Sequence, residues 1–270
     1  MHGGGNMMDE EAPITRARRA RASSAPSLVD DAPRGDVSLY LRALLGDRQG
    51  HVDVMREGLF EEYGREDARP GGDPLGGLVG TILSQHTSDK NSHRAYQSLI
   101  ERFPTWEAVA AASLDEIENA IRSGGLAAQK APRIQEAVRA VYARFGSYDL
   151  SFLTEMPRDE ARTLLMGLAS GIGPKTASCV LLFSLGVPAF CVDTHIQRIC
   201  ARVGLIRAKD SAEKAQHMLE ATVPPEDVQA LHIAMIRHGR STCRAQKPQC
   251  GRCPLREVCL YGATEGAHIR

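Results

Sequence analysis

Apolar residues recur three and four positions apart along nearly the whole chain from Val37 onward, and no stretch keeps the strict alternation of a half-buried strand. The pattern predicts an all-α fold. Its punctuation places the helices: Ser113-Leu-Asp-Glu116 forms a capping box that opens a short helix, and Gly124 and Gly125 close it. Asp89 is placed to cap a helix that ends near Phe103-Pro104, and further helices are expected over 129–145, 159–169, 174–185, 194–203, 210–221 and 226–239. Their short connections suit a globule better than a repeat array. Residues 1–36 lack this periodicity and read as a disordered basic tail, in which the burst Arg16-Ala-Arg-Arg-Ala-Arg21 can brush phosphates nonspecifically.

At 270 residues the chain can hold one large domain or two modest ones, with apolar content sufficient for ordinary cores. Its basic and acidic residues number 33 each, so a polyanion-binding footprint has to be local. Local clusters exist. Arg237, Arg240, Arg244, Lys247, Arg252 and Arg256 follow one another without an acidic residue between them, while 53–73 is rich in Asp and Glu. No apolar run approaches the roughly 18 to 20 residues of a membrane span. The N-terminus lacks the apolar segment of a secretory signal, and Asp9, Glu10 and Glu11 argue against a transit peptide, so a soluble cytoplasmic protein is expected. In that setting seven cysteines point to metal ligation or burial before disulfides. Cys179 and Cys200 lie on helical faces among Val, Leu and Ile and read as core, and Cys191 reads as packing beside an aspartate.

Residues 168–177 run Leu-Ala-Ser-Gly-Ile-Gly-Pro-Lys-Thr-Ala: a helix end, a hairpin and a new helix with Pro174 at its first position. Gly171 and Gly173 allow positive φ and a close approach of another molecule to the backbone. The N–H groups of Gly171-Ile172-Gly173 and of the helix start make an anion site suited to a DNA phosphate, although a Gly-x-Gly turn also serves plain sterics between helices. Lys175 follows at the positive end of the new helix, where the dipole and any burial disfavour its ammonium and so favour the neutral amine that a nucleophile requires. It is one of six lysines in a chain whose other basic residues are arginines. Eighteen residues on, in Cys191-Val-Asp-Thr-His195, Asp193 opens another helix. A plain N-cap role and a catalytic role are compatible there, since N–H groups at a helix start keep a carboxylate ionised.

Near the C-terminus stands Cys243-x6-Cys250-x2-Cys253-x5-Cys259. Four thiolates on a short segment suit an iron–sulfur cluster or tetrahedral zinc; zinc sites usually show two close cysteine pairs, and here Cys250 and Cys253 form the single one.

With Gly171-Ile-Gly-Pro-Lys-Thr-Ala177 and Val192-Asp-Thr-His195 in this order and spacing, the chain resembles the helix-hairpin-helix DNA glycosylases, and among them the endonuclease III branch, from about residue 50 to 262. The resemblance implies a bifunctional enzyme that removes oxidised pyrimidines from duplex DNA and then cuts at the abasic site. Lys175 is implied as the Schiff-base nucleophile, Asp193 as the catalytic carboxylate, and no catalytic metal or nucleotide cofactor is called for. Cys243, Cys250, Cys253 and Cys259 are implied to hold one [4Fe–4S] cluster, which presents Arg244 and Lys247 to phosphates. Ile82-Leu-Ser-Gln-His-Thr-Ser-Asp89 matches the stretch that fills the gap left by an extruded nucleotide, through His86 or Gln85, and Ser123-Gly-Gly-Leu-Ala-Ala-Gln-Lys130 matches the loop whose apolar wedge is Leu126. Leu126 read by itself also suits a helix-end contact. The implied architecture is two helical domains with a DNA cleft between them, 75–187 carrying the hairpin and 37–74 with 188–262 carrying the cluster, followed by a tail over 263–270. The implied setting is a monomer at the nucleoid of a bacterial cell. Ala127, Ala169-Ser170, Gln246 and Gln249 depart from the family's usual tyrosine, Leu-Pro and basic residues, and bear on lesion range and DNA grip. Within the superfamily, mismatch-directed and adenine-excising branches generally lack the lysine. A noncatalytic DNA-binding redox sensor is the alternative from another class.

Overall fold

The N–H groups of a helix's first turn have no partner within the helix, and side-chain oxygens placed just ahead of that turn fix where most helices of this chain begin. The computed structural model describes residues 38–66 and 70–264, and among these every regular element is helical. The helices are α1 (Leu39–Gly46), α2 (Arg48–Tyr63), α3 (Pro74–Ser84), α4 (Asp89–Arg102), α5 (Trp106–Ala111), α6 (Leu114–Ile121), α7 (Ala127–Phe145), α8 (Arg158–Met166), α9 (Pro174–Phe183), α10 (Thr194–Val203), α11 (Ala212–Thr222), α12 (Val228–Ser241) and α13 (Leu260–Thr264). The capping box forms at α6, with Ser113 Oγ accepting from the Glu116 N–H and the Glu116 carboxylate accepting from the Ser113 N–H. At α4 the cap is Ser88 rather than Asp89: Ser88 Oγ accepts from the Asn91 N–H at 3.3 Å, and Asp89 occupies the first turn, where its charge favours the dipole. Helix α8 stops at Met166, short of the expected Ala169, because Gly167 takes the cap position. Helix α13 reaches Thr264, two residues into the stretch expected as tail. The basic tail over 1–36 lies outside the described residues.

The apolar faces close on two main cores. One gathers α3 to α9, with Leu75, Leu78, Ile82, Leu99, Ile117, Ile134, Leu165 and Leu181 among its buried members. The other joins α2 to α10, α11 and α12, and to the segment around Leu255 and Val258. Helix α9 serves both, since Val180 and Leu181 belong to the first core and Leu182 to the second.

A buried carboxylate stitches the cores together. Glu220 of α11 has a side chain that is 1% exposed and pairs with Arg162 of α8. The same carboxylate takes the Phe190 N–H at 2.8 Å and an ion pair from Arg158 at 3.4 Å. Arg162 also donates to Ser178 Oγ on α9 at 3.0 Å, and Gln216 reaches that hydroxyl from α11 at 3.1 Å. Removing the carboxylate leaves the buried Arg162 guanidinium with the exposed Asp159, at 2.6 Å, as its remaining ionic partner among the described residues. We expect Glu220→Gln to lower unfolding free energy by about 3–5 kcal/mol, while the pair of changes Glu220→Met and Arg162→Met, which removes both charges, costs distinctly less. Chemical denaturation of the three proteins checks this; a single variant as stable as the parent contradicts it.

Candidate active site

The hairpin before α9 is built by one glycine that must be glycine and one that leaves space. Gly171 has φ +82°, and a Cβ there would lie 3.2 Å from the Arg133 guanidinium of α7. Gly173 has φ −92° and ψ 178°, so it needs no left-handed freedom, contrary to expectation; an added Cβ would meet nothing within 4 Å. Ile172 points inward and is 5% exposed, and its N–H is engaged with the Ala169 carbonyl at 3.4 Å. The turn therefore offers its surface through the glycines and the helix start, not through Ile172. Pro174 opens α9, and no side chain caps that helix, which leaves its first N–H groups facing outward. Ser170, one of the departures, is anchored by its N–H and hydroxyl to Glu136 of α7 at 3.3 and 3.0 Å.

Lys175 is exposed, so the burial expected to favour its neutral form is not found; its position in the first turn of α9 is. Its ammonium has no hydrogen-bond or ion-pair partner among the described residues. Asp193 caps α10, and its Oδ1 accepts the N–H groups of His195 and Ile196 at 2.8 and 2.9 Å. Oδ2 is left without a partner among the described residues. The segments carrying the two residues are tied directly: Cys191 lies 3.5 Å from the Lys175 carbonyl and forms a disulfide with Cys179, one turn beyond Lys175. Cys179 and Cys191, expected to be simple packing residues, are thus paired, because the turn after α9, with Gly186 at φ +70° and the Val187 N–H donating to the Leu181 carbonyl at 2.9 Å, brings the segment before Asp193 back against the helix. Cys200 is fully buried as expected, and burial pushes its thiol up to about 12.

Behind the pair lies His232 of α12, 8% exposed, with its ring edge-on to Phe183 at 5.2 Å and near Phe190 at 6.2 Å. Its Nδ1 has no partner among the described residues. Burial pushes its pKa down to about 4, against the pull of Asp193 and with a push from Lys175, so this ring senses both charges. Sequence reasoning missed it, since a histidine on an apolar helix face carries no local mark.

Two exposed tips flank the hairpin. Gln85 ends α3 and donates to Thr176, the neighbour of Lys175, at 3.4 Å, while His86 turns outward with φ +53°. Leu126 precedes α7 with φ +54° and is 46% exposed. Among the described residues three non-glycine positions have positive φ: His86, Leu126 and Lys247. All three were singled out from the sequence as DNA contacts, and such strained backbone collects at functional sites.

The four C-terminal thiols line a common cavity with Ile199, His238 and Leu255. Among the described residues no group of three or more ligands is placed to hold a single metal ion. Burial pushes the Cys253 thiol up to about 11 and that of Cys259 to about 12, so a cationic centre is needed to ionise them. Arg202 of α10 donates to Cys243 Sγ at 3.4 Å and to the Arg244 and Ala245 carbonyls at 2.6 and 3.0 Å, and Arg198 holds the Cys243 carbonyl at 3.0 Å. These two arginines, spaced one turn apart, also escaped sequence reasoning. Of the basic cluster, Arg237 is paired with Glu66 at 2.7 Å and Arg240 with Asp89 at 3.2 Å, so the acidic and basic stretches partly neutralise each other. Arg244, Lys247, Arg252 and Arg256 are exposed without a carboxylate partner among the described residues.

Residues 79–225, which contain the hairpin, Lys175 and Asp193, match the family model of HhH-GPD superfamily base excision DNA repair proteins. The chain belongs to that superfamily. Residues 243–259 match the iron–sulfur binding domain of endonuclease III, and the cofactor is one [4Fe–4S] cluster, which the four thiols fit. Endonuclease III of Bacillus subtilis is 34% identical over 185 residues, spanning 68% of this chain and 80% of that protein. Endonuclease III of Thermotoga maritima is 30% identical over 194 residues, spanning 72% and 86%. A solved endonuclease III–DNA covalent intermediate superposes with a TM-score of 0.69 at 31% identity, covering 82% of this chain and 99% of that one. A thermostable thymine-DNA glycosylase, 22% identical with a TM-score of 0.67, shares the fold. No helix among the described residues of this superfamily member is long and apolar enough to cross a membrane.

The depressed His232 value fixes the sign of a pH effect. The unfolded chain takes up a proton near 6.5 and the folded one near 4, so the unfolded state binds more protons between these values. Stability is full above 6.5 and falls as pH drops toward 4, by on the order of 3 kcal/mol from this group. Urea midpoints measured from pH 7 to 4.5 should fall less steeply in His232→Leu than in the parent. Parallel curves contradict the assignment.

Proposed function

We propose that the chain is a base-excision DNA glycosylase with abasic-site lyase activity, acting on oxidised pyrimidines in duplex DNA through Lys175 and Asp193. What supports the reading is an unpartnered Lys175 amine at a helix start without a side-chain cap, together with an Asp193 carboxylate that keeps one oxygen free. The segments bearing them are joined through Cys191. In the first step the neutral Lys175 amine attacks C1′ of the extruded nucleotide, a C–N bond forms, and the base leaves with the electron pair of the glycosidic bond. Asp193 Oδ2 stabilises the positive charge that develops on the sugar and accepts the proton released by Lys175. Ring opening gives a protonated Schiff base. Loss of a C2′ proton then expels the 3′ phosphate by β-elimination, and water releases the lysine.

Gly171, Gly173 and the first turn of α9 are suited to hold a backbone phosphate near this pair. Gln85, His86 and Leu126 would occupy the space vacated by the nucleotide. When bound, the cluster fixes the segment bearing Arg244 and Lys247, which adds grip without reading sequence. We infer a monomer working in the cytoplasm at the nucleoid, where its substrate lies.

Borohydride reduction of the Schiff base on a thymine-glycol duplex is expected to trap a covalent protein–DNA adduct. Lys175→Ala should abolish trapping, and Asp193→Asn should slow base release by on the order of 100-fold or more while leaving duplex binding intact. Adduct surviving Lys175→Ala overturns the nucleophile. A parent protein that binds duplex DNA but leaves abasic sites uncut overturns the enzyme reading.

A further inference from the structure

Lys130 of α7 is 2% exposed and stands among the largest fully buried side chains of the protein, yet no carboxylate pairs with it among the described residues. Burying an unpaired ammonium is costly, so its hydrogen bonds must be worth keeping. They go to two loop-end carbonyls. Nζ donates to the Leu83 carbonyl at 2.8 Å and to the Gly124 carbonyl at 2.9 Å. Leu83 sits in the last turn of α3, three residues before His86, and Gly124 ends the 3-10 turn two residues before Leu126. Both carbonyls belong to helix ends, where a cation is favoured and the helix itself supplies no donor. The backbone N–H of Lys130 donates to the Leu126 carbonyl at 3.0 Å, so one residue grips the Leu126 loop at two points. The Leu126 loop is closely packed at the same place: a Cβ on Gly124 would lie 3.0 Å from Ala95 Cβ of α4, with the Leu83 carbonyl oxygen in ordinary contact at 4.0 Å. Beyond this clamp each loop turns through a left-handed non-glycine residue, His86 at φ +53° and Leu126 at φ +54°. A left-handed leucine is strained and persists where its surroundings hold it.

We propose that Lys130 is a positioning residue that fixes the His86 and Leu126 tips relative to each other, so that both enter the duplex as one rigid wedge when a nucleotide is extruded. This rests on the base-excision reading and adds to it a residue that touches neither DNA nor the reacting atoms. Extrusion from a paired duplex needs the wedge; cleavage of a single-stranded abasic site does not. The parent, Lys130→Met, Leu126→Ala and the double variant, all as full-length cluster-loaded protein, are compared on a thymine-glycol duplex and on a single-stranded abasic oligonucleotide. Lys130→Met is expected to lose about 10- to 100-fold in duplex excision and to keep single-strand cleavage. The double variant should be no slower than Leu126→Ala, because Lys130 acts through the wedge. Multiplying losses in the double variant, equal losses on both substrates, or parental duplex excision in Lys130→Met overturns the proposal. If Lys130→Met fails to fold, Lys130→Gln, which keeps two donors on a shorter stem, is expected to lose duplex preference partially, and an unchanged preference overturns the proposal. A parent inactive on both substrates instead defeats the base-excision reading itself.

Discussion

The Glu220 carboxylate is the constraint on which the site depends. A buried negative charge is tolerated where it is paired, and here the partners come from different parts of the chain: Oε1 meets the Arg162 guanidinium of α8, the Gln216 amide of α11 and the main-chain N–H of Phe190, while Oε2 has the Arg158 ion pair but no hydrogen bond among the described residues. Phe190 lies three residues before Asp193, and the Arg162 that meets Glu220 also holds Ser178, three residues after Lys175. The ion pair thereby sets where α9 sits against the segment leading to α10. Two apolar cores alone would allow them to slide, because hydrophobic contact has no direction. A hydrogen-bonded charge cluster does not slide.

A rigid frame lets the surface carry strain. His86, Leu126 and Lys247 are held in a backbone region that costs non-glycine residues energy, and each sits on a connection between well-packed helices. The cost is met where the flanking backbone is fixed: by the Lys130 ammonium for the first two tips, and by Arg202, with the Gln249 N–H bound to the Thr242 carbonyl, for the cluster segment. A tip that is already in its working conformation loses little entropy on meeting DNA.

Much of this was legible in the sequence, for physical reasons that can be named. Capping boxes, glycine turns and Pro174 act through neighbours in the chain, so the helices and the hairpin could be placed to within a turn. The order Lys175, Asp193 and four cysteines could be read because the residue types themselves carry the chemistry. What escaped depends on distant partners. Glu220, Lys130, His232, Arg198 and Arg202 look like ordinary helix residues until the fold buries them or turns them toward a carbonyl. Ser88 displaced Asp89 as a cap because either residue satisfies the same local rule, and the Cys179–Cys191 pairing could not be seen because the turn after α9 brings them together only in three dimensions.

Part of the basic run near the cluster is answered within the protein itself. Of the six consecutive basic residues near the cluster, Arg237 and Arg240 are answered by Glu66 and Asp89, and on α10 Arg198 and Arg202 are occupied with main-chain carbonyls. Four of this run, Arg244, Lys247, Arg252 and Arg256, remain without a carboxylate partner among the described residues, and each phosphate such a residue meets deepens salt dependence by roughly one unit of log-log slope. Charge of this kind grips a duplex without reading it, so discrimination falls on the step that costs most for a sound base pair and least for a damaged one, the unstacking of the nucleotide.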